Sequence, residues 1–219
     1  MPRINMPKSS PGLDMTPMVD LAFLLVTFFM LTASVRVNEP VIVDTPGSHS
    51  DKLLPDNVML ISIDVAGKPF FNITNPDVRI KTLERMGAQY RIDFSDAEKK
   101  RFAGMTSFGV PMSQLKEYIM MDDVARAKVK SPGIPIDTTG IHNELGDWIQ
   151  FGRIVELTRE KAEQTKAKDL GRTGYKNEPL RYAIKADGKA KYLSVKQVID
   201  VFKKFDIYRF NLITNLEAD

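Results

Sequence analysis

The sequence predicts an α/β (α+β) exported domain, a small mixed β-sheet with helices on one face, anchored by one N-terminal transmembrane helix. Three stretches predict it. Residues 17–36 hold an apolar run of membrane length. Residues 58–73 alternate as strand, tight turn and strand, and residues 180–214 read as strand, helix and strand. At 219 residues there is room for one span and one folded domain of ordinary size. Hydrophobic content of 43% and charged content of 27% suit a globular chain. The net charge of +3 is mild and its basic residues are scattered, so no nucleic-acid partner is expected. With no cysteine, disulfides, cysteine-ligated zinc and a lipid anchor on cysteine are excluded.

Residues 1–16 form a short polar tail bearing Arg3 and Lys8. Beyond the span, Arg36 is followed by Glu39 and Asp44, and this balance favours a cytoplasmic N-terminus. Thr16 and Pro17 read as helix N-cap and first helical residue. From Pro17 to Val35 a helix would rise roughly 28 Å, close to the ~30 Å of a hydrocarbon core. Its one ionisable side chain is Asp20.

A charged carboxylate deep in a membrane helix costs on the order of 2.5–3.5 kcal/mol. Hydrocarbon favours the neutral acid, and a partner or water favours the anion, so a carboxyl that meets both is a natural proton carrier. The plainer alternative puts Asp20 at the headgroup boundary. At 100° per residue, Thr16, Thr27 and Ser34 fall within roughly 40° of Asp20 and make one polar stripe. Such hydroxyls either face protein or water, or bond back to their own helix's carbonyls.

A cleaved signal peptide is the rival reading, with Thr32-Ala33-Ser34 as its small-residue site. Asp14 and Asp20 argue against it, because signal peptides carry lysine and arginine there. Both readings export the C-terminal domain.

Residues 37–57 hold three prolines and Gly47 and read as a linker, on which His49 is a solvated loop residue. In residues 58–73, Met59, Ile61, Ile63 and Val65 are expected to be buried, with Val58, Leu60, Ser62 and Asp64 facing the other way. Helices are expected at 77–86, 95–103, 113–128 and 144–168, with a Ser95/Glu98 capping box and Ser113 as an N-cap. Leu145, Trp148, Ile149 and Val155 give the last one an apolar face before a charged run, and Pro132 to Pro135 exclude helix. In the final unit Asp187-Gly188 turns the chain, Ser194 and Gln197 suggest another capping box, and Val195, Val198, Ile199, Phe202 and Phe205 are expected to face the core. A closing strand is expected over 207–214.

D-M-T-P-M-V-D at 14–20, ahead of the apolar run, resembles the ExbD/TolR family of small single-span subunits of proton-driven inner-membrane complexes. The matching positions are Asp14, Thr16, Pro17 and Asp20, and the resemblance implies that Asp20 carries protons. Residues 180–214 resemble the end of the family's exported domain through Lys185, Asp187, Tyr192, Asp200 and Thr214, all read as fold-making. Residues 74–178 run longer than the family's corresponding region. They are expected to be an insertion decorating the 58–219 periplasmic domain, or else a docking surface.

The resemblance further implies an ExbB/TolQ-like multi-span oligomer as partner, a TonB- or TolA-like periplasmic protein, and a homodimer within the complex. It implies single-pass residence in the inner membrane and energising of outer-membrane transport. No enzyme activity or cofactor is expected: His49 and His142 lie apart, and no nucleotide-cradling glycine motif is present. The alternative is a periplasmic binding or adaptor domain, secreted or anchored, with no proton role. A flagellar-type stator shares the span chemistry, but no peptidoglycan-binding pattern stands near the C-terminus.

Overall fold

A computed structural model describes residues 16–32, 47–48, 57–137, 143–170, 179–213 and 215–216. The chain divides into two compact units, Met1–Val37 and Asn38–Asp219. In the first, the apolar run folds as helix α1, Thr16–Thr32, with Pro17 in its first turn, where a missing N–H is harmless. Thr16, expected as the cap, is already helical. The 17 residues of α1 rise about 25 Å. Among the described residues no helix is long and apolar enough to cross a membrane. Asp14 and residues 33–36, the last part of the expected span, lie outside the described residues.

The second unit begins with a two-residue strand β1, Gly47–Ser48, and then the hairpin β2, Val58–Ile63, and β3, Pro69–Ile73. β2 and β3 pair antiparallel with Ile61 opposite Phe71. Gly67 closes their turn at φ +81°, a conformation few side chains tolerate. Met59, Ile61 and Ile63 are buried as the alternation requires. Val65 is 54% exposed, because the strand ends at Ile63 and leaves it in the turn. Val58 and Ser62, on the other face, are buried too.

Asn75 caps α2, Pro76–Tyr90, by accepting from Asp77 N at 3.0 Å, and the Ser95/Glu98 capping box opens α3, Asp96–Gly104. The helix expected over 113–128 is two, α4, Met112–Met120, and α5, Asp123–Lys128. Extended backbone at Met121 and Asp122 separates them. Ser113 is not the cap: Pro111 holds that place with no side-chain bond, and Glu144 accepts from Met112 N at 2.9 Å instead. The charged run stays helical within α6, Glu144–Asp169, where Arg159 pairs with Glu156 and Glu163 on successive turns.

Then come β4, Arg181–Ala186, α7, Tyr192–Lys204, β5, Asn211–Ile213, and β6, Asn215–Leu216. The mixed sheet has the order β3-β2-β4-β5, with β4 parallel to both neighbours, and β1 pairs in parallel with β6. The closing strand is shorter than expected, since Ile207 N donates to Phe202 O at 2.9 Å and still belongs to the end of α7. The Ser194/Gln197 box does not form. α7 begins at Tyr192, and Ser194 packs against the hairpin turn, where a Cβ on Gly67 would lie 2.2 Å from its Oγ.

α6 lies on the sheet face that carries Met59, Phe71 and Ile73, so close that a Cβ on Gly152 would come within 2.6 Å of Met59 Cε. Trp148 of α6 is buried among Phe71, Phe102 and Phe108, with ring centroids 4.8–6.0 Å from its own. Phe202 of α7 meets Tyr182 of β4 at 5.8 Å. The stretch expected to decorate the domain thus supplies the middle of its core. Arg79 binds this layer together by donating to Ile73 O at 3.0 Å, Ala103 O at 2.8 Å and Asn72 Oδ1 at 2.8 Å. Burial lowers its pKa to about 10.

Candidate functional site

Every described side chain of α1 is exposed in the single chain, its large apolar ones from Leu25 at 56% to Leu31 at 88%. Such a continuous apolar surface calls for lipid or protein around it. Asp20 is the one ionisable residue among these side chains. Thr27, seven residues on, donates its Oγ1 proton to Leu24 O at 2.9 Å, and Thr32 does the same to Phe28 O at 2.8 Å. Thr27 is therefore engaged by its own backbone, one of the two arrangements expected for the hydroxyls of the stripe. Ser34 lies outside the described residues, and the side chain of Thr16 is not described.

In the second unit the family-like positions scatter by role. Asp187 is buried and its Oδ1 accepts from Lys189 N at 2.8 Å, which makes it a turn-holding residue as expected. Lys185 sits half-buried on β4 opposite Ser62, and Asp200 lies 3.8 Å from Lys203. Tyr192 departs from the fold-making expectation. It opens α7 with 78% of its surface exposed, so packing does not explain it. Thr214, His49 and His142 lie outside the described residues.

The other perturbed groups are structural. Burial, assisted by the hydrogen bond to Asp147 at 2.7 Å, pushes the Tyr90 phenol up. Burial also raises Glu144, the carboxylate that caps α4. Between α2 and α6 runs an open groove of about 860 Å³ lined by the acids Asp77, Glu84 and Glu163 and the bases Lys81, Arg85, Arg159 and Lys166. Arg159 is already paired with Glu156 and Glu163, and mixed charge on a wide surface selects no ligand. Among the described residues no three metal-ligating side chains gather. Sequence reasoning missed the buried Glu156, whose partner Asn57 is 99 residues away.

The family model described as biopolymer transport protein ExbD/TolR matches residues 6–117, which takes in α1, the hairpin, α2 and α3. No curated protein and no solved structure matches the chain.

Proposed function

The chain belongs to the ExbD/TolR family of biopolymer transport proteins, and we propose that it is the proton-carrying subunit of an inner-membrane energising complex. Members of this family are membrane-anchored and work in multi-protein transport complexes. In this reading the segment 17–36, of which α1 is the described part, crosses the inner membrane with the N-terminus in the cytoplasm, and residues 58–219 form the periplasmic domain. Asp20 takes a proton from the periplasmic side and releases it inward, with Thr16, Thr27 and Ser34 on the same stripe and Asp14 and Pro17 shaping the helix entrance.

The observation that carries the proposal is a helix exposed around its whole apolar circumference and bearing a single carboxylate. A surface of that kind is stable only inside lipid or a larger assembly, and the acid is tolerable there only if it has work or a partner. An ExbB/TolQ-like oligomer of multi-span chains would supply the wall against which α1 moves, with two copies of this chain inside it. One charge falling through 100 mV releases about 2.3 kcal/mol, so several protons must pass for each mechanical stroke on a TonB- or TolA-like partner.

The test is proton flux into vesicles holding the chain with its co-purified multi-span partner. Asp20→Asn should reduce flux to the lipid background, and Asp20→Glu should retain part of it. Undiminished flux in the asparagine variant would leave α1 as an anchor and favour an anchored binding or adaptor domain with no proton role.

A further inference from the structure

Three separated stretches meet at one pole of the second unit. The hairpin turn touches the first turn of α7, because a Cβ on Gly67 would lie 2.2 Å from Ser194 Oγ. The same turn holds the segment after α5: Lys68 Nζ donates to Ser131 O at 3.1 Å, and a Cβ on Gly133 would lie 2.9 Å from Lys68 Cβ. The loop from β4 to α7 arrives there as well, since Ala186 pairs in register with Ile63.

In sequence these stretches are D-V-A-G-K at 64–68, K-V-K-S-P-G at 128–133 and D-G-K-A-K-Y-L-S-V-K at 187–196. They bring Lys68, Lys128, Lys130, Lys189, Lys191 and Lys196 together against two acids. Both acids are turned to the backbone: Asp64 Oδ1 accepts from Lys68 N at 2.7 Å, and Asp187 Oδ1 from Lys189 N at 2.8 Å. Among the lysines stand exposed apolar side chains, Val65 at 54%, Val129 at 41%, Tyr192 at 78% and Leu193 at 64%.

Lysines interleaved with exposed aliphatic and aromatic groups suit an anionic interface, where ammonium groups meet phosphates and the apolar tips enter the boundary layer. We propose that this pole docks on the anionic phospholipid headgroups of the membrane that anchors the chain. The linker supports that occupant. β6 follows β5 at this pole and pairs with Gly47–Ser48, so the chain joins the domain here. The 14 residues 33–46 before it span at most about 50 Å. The inference rests on membrane anchoring alone and stands or falls separately from proton carriage by Asp20.

The chain has no cysteine, so Leu193→Cys takes a single environment-sensitive fluorophore. The labelled full chain is reconstituted into phosphatidylcholine bilayers, and into bilayers with about 30% phosphatidylglycerol, each with and without brominated lipid as quencher. Quenching at position 193 should be at least about twofold stronger in the anionic bilayer and lost in about 1 M salt, where screening is near 3 Å. It should also be lost in Lys130→Gln/Lys189→Gln/Lys191→Gln. A label at Lys81→Cys on α2 should stay unquenched, and emission from Trp148, the chain's one tryptophan, checks that each variant is folded. Equal quenching in both bilayers, no quenching in either, or quenching that survives the three substitutions would overturn the proposal.

Discussion

Asn57 Nδ2 donates to Glu156 Oε1 across 2.6 Å and so joins the residue ahead of β2 to the middle of α6. Asn57 is the last residue of the expected linker, and Glu156 lies beyond the 6–117 segment that matches the family. Glu156 is fully buried, and its second oxygen accepts from Arg159 Nε at 3.0 Å. The start of β2 is therefore fastened to α6 at a junction of sheet and helix. Asn57→Ala should destabilise the domain by about 1–3 kcal/mol, because it removes one of the two donors to the buried Glu156 Oε1 and leaves only Arg159 there. In the pair Asn57→Ala/Glu156→Ala the two losses should overlap by about 0.5–3 kcal/mol. Guanidinium unfolding followed by Trp148 emission measures both, and strictly additive losses would show that the contact carries no energy.

The start of α3 makes a prediction about pH. Glu98 accepts from Ser95 N at 2.7 Å and from Ser95 Oγ at 3.0 Å. The backbone bond first, and the hydroxyl bond with Lys116 nearby, hold its carboxyl below the ordinary value of 4.5. A depressed carboxyl pKa means that the unfolded chain takes up the proton first on acidification. The stabilisation is therefore complete above pH 4.5 and is lost as pH falls through the lower folded value. Glu98→Gln keeps the shape of the box and removes the charge, so at pH 7 it should cost about 0.5–1 kcal/mol. The gap from the parent should close as pH drops below 4.5. Unfolding at pH 7 and in that acid range decides it, and a gap that persists in acid would mean that packing and not charge is responsible.

Local patterns were readable where one element decides its own shape. The strand over 58–63, the Ser95/Glu98 box and the apolar face of α6 all appear in the fold, since each depends on residues within a few positions, but the one-sided burial of that strand does not, because Val58 and Ser62 are covered as well. What failed depended on distant partners. Ser113 and Ser194 have good cap chemistry, yet Glu144 already satisfies the start of α4 and Gly67 admits Ser194 as a packed residue. The region read as decoration holds Phe102, Phe108 and Trp148, whose burial only the sheet face explains. Asp20 was legible because a lone acid in an apolar run is conspicuous. The lysine pole was not, because strand register and the hairpin turn bring together residues between 64 and 196 that share no local pattern.

The proton path proposed for α1 would separate a residue that reacts from one that merely lies beside it. Thr27 Oγ1 is already engaged by Leu24 O at 2.9 Å, an i to i−3 bond that stays inside the helix. Using that hydroxyl in a relay would mean breaking this bond in an apolar medium, where an unpaired hydroxyl is costly. Thr27→Val keeps the shape and removes the hydroxyl. It should leave flux within about threefold of the parent, a barrier change below about 0.7 kcal/mol, while Asp20→Asn falls to background. The same reconstituted vesicles measure both variants. If Thr27→Val were as inactive as Asp20→Asn, the hydroxyl must leave its carbonyl during turnover, and the stripe would act as a continuous relay instead of a single carboxyl on an otherwise inert rod.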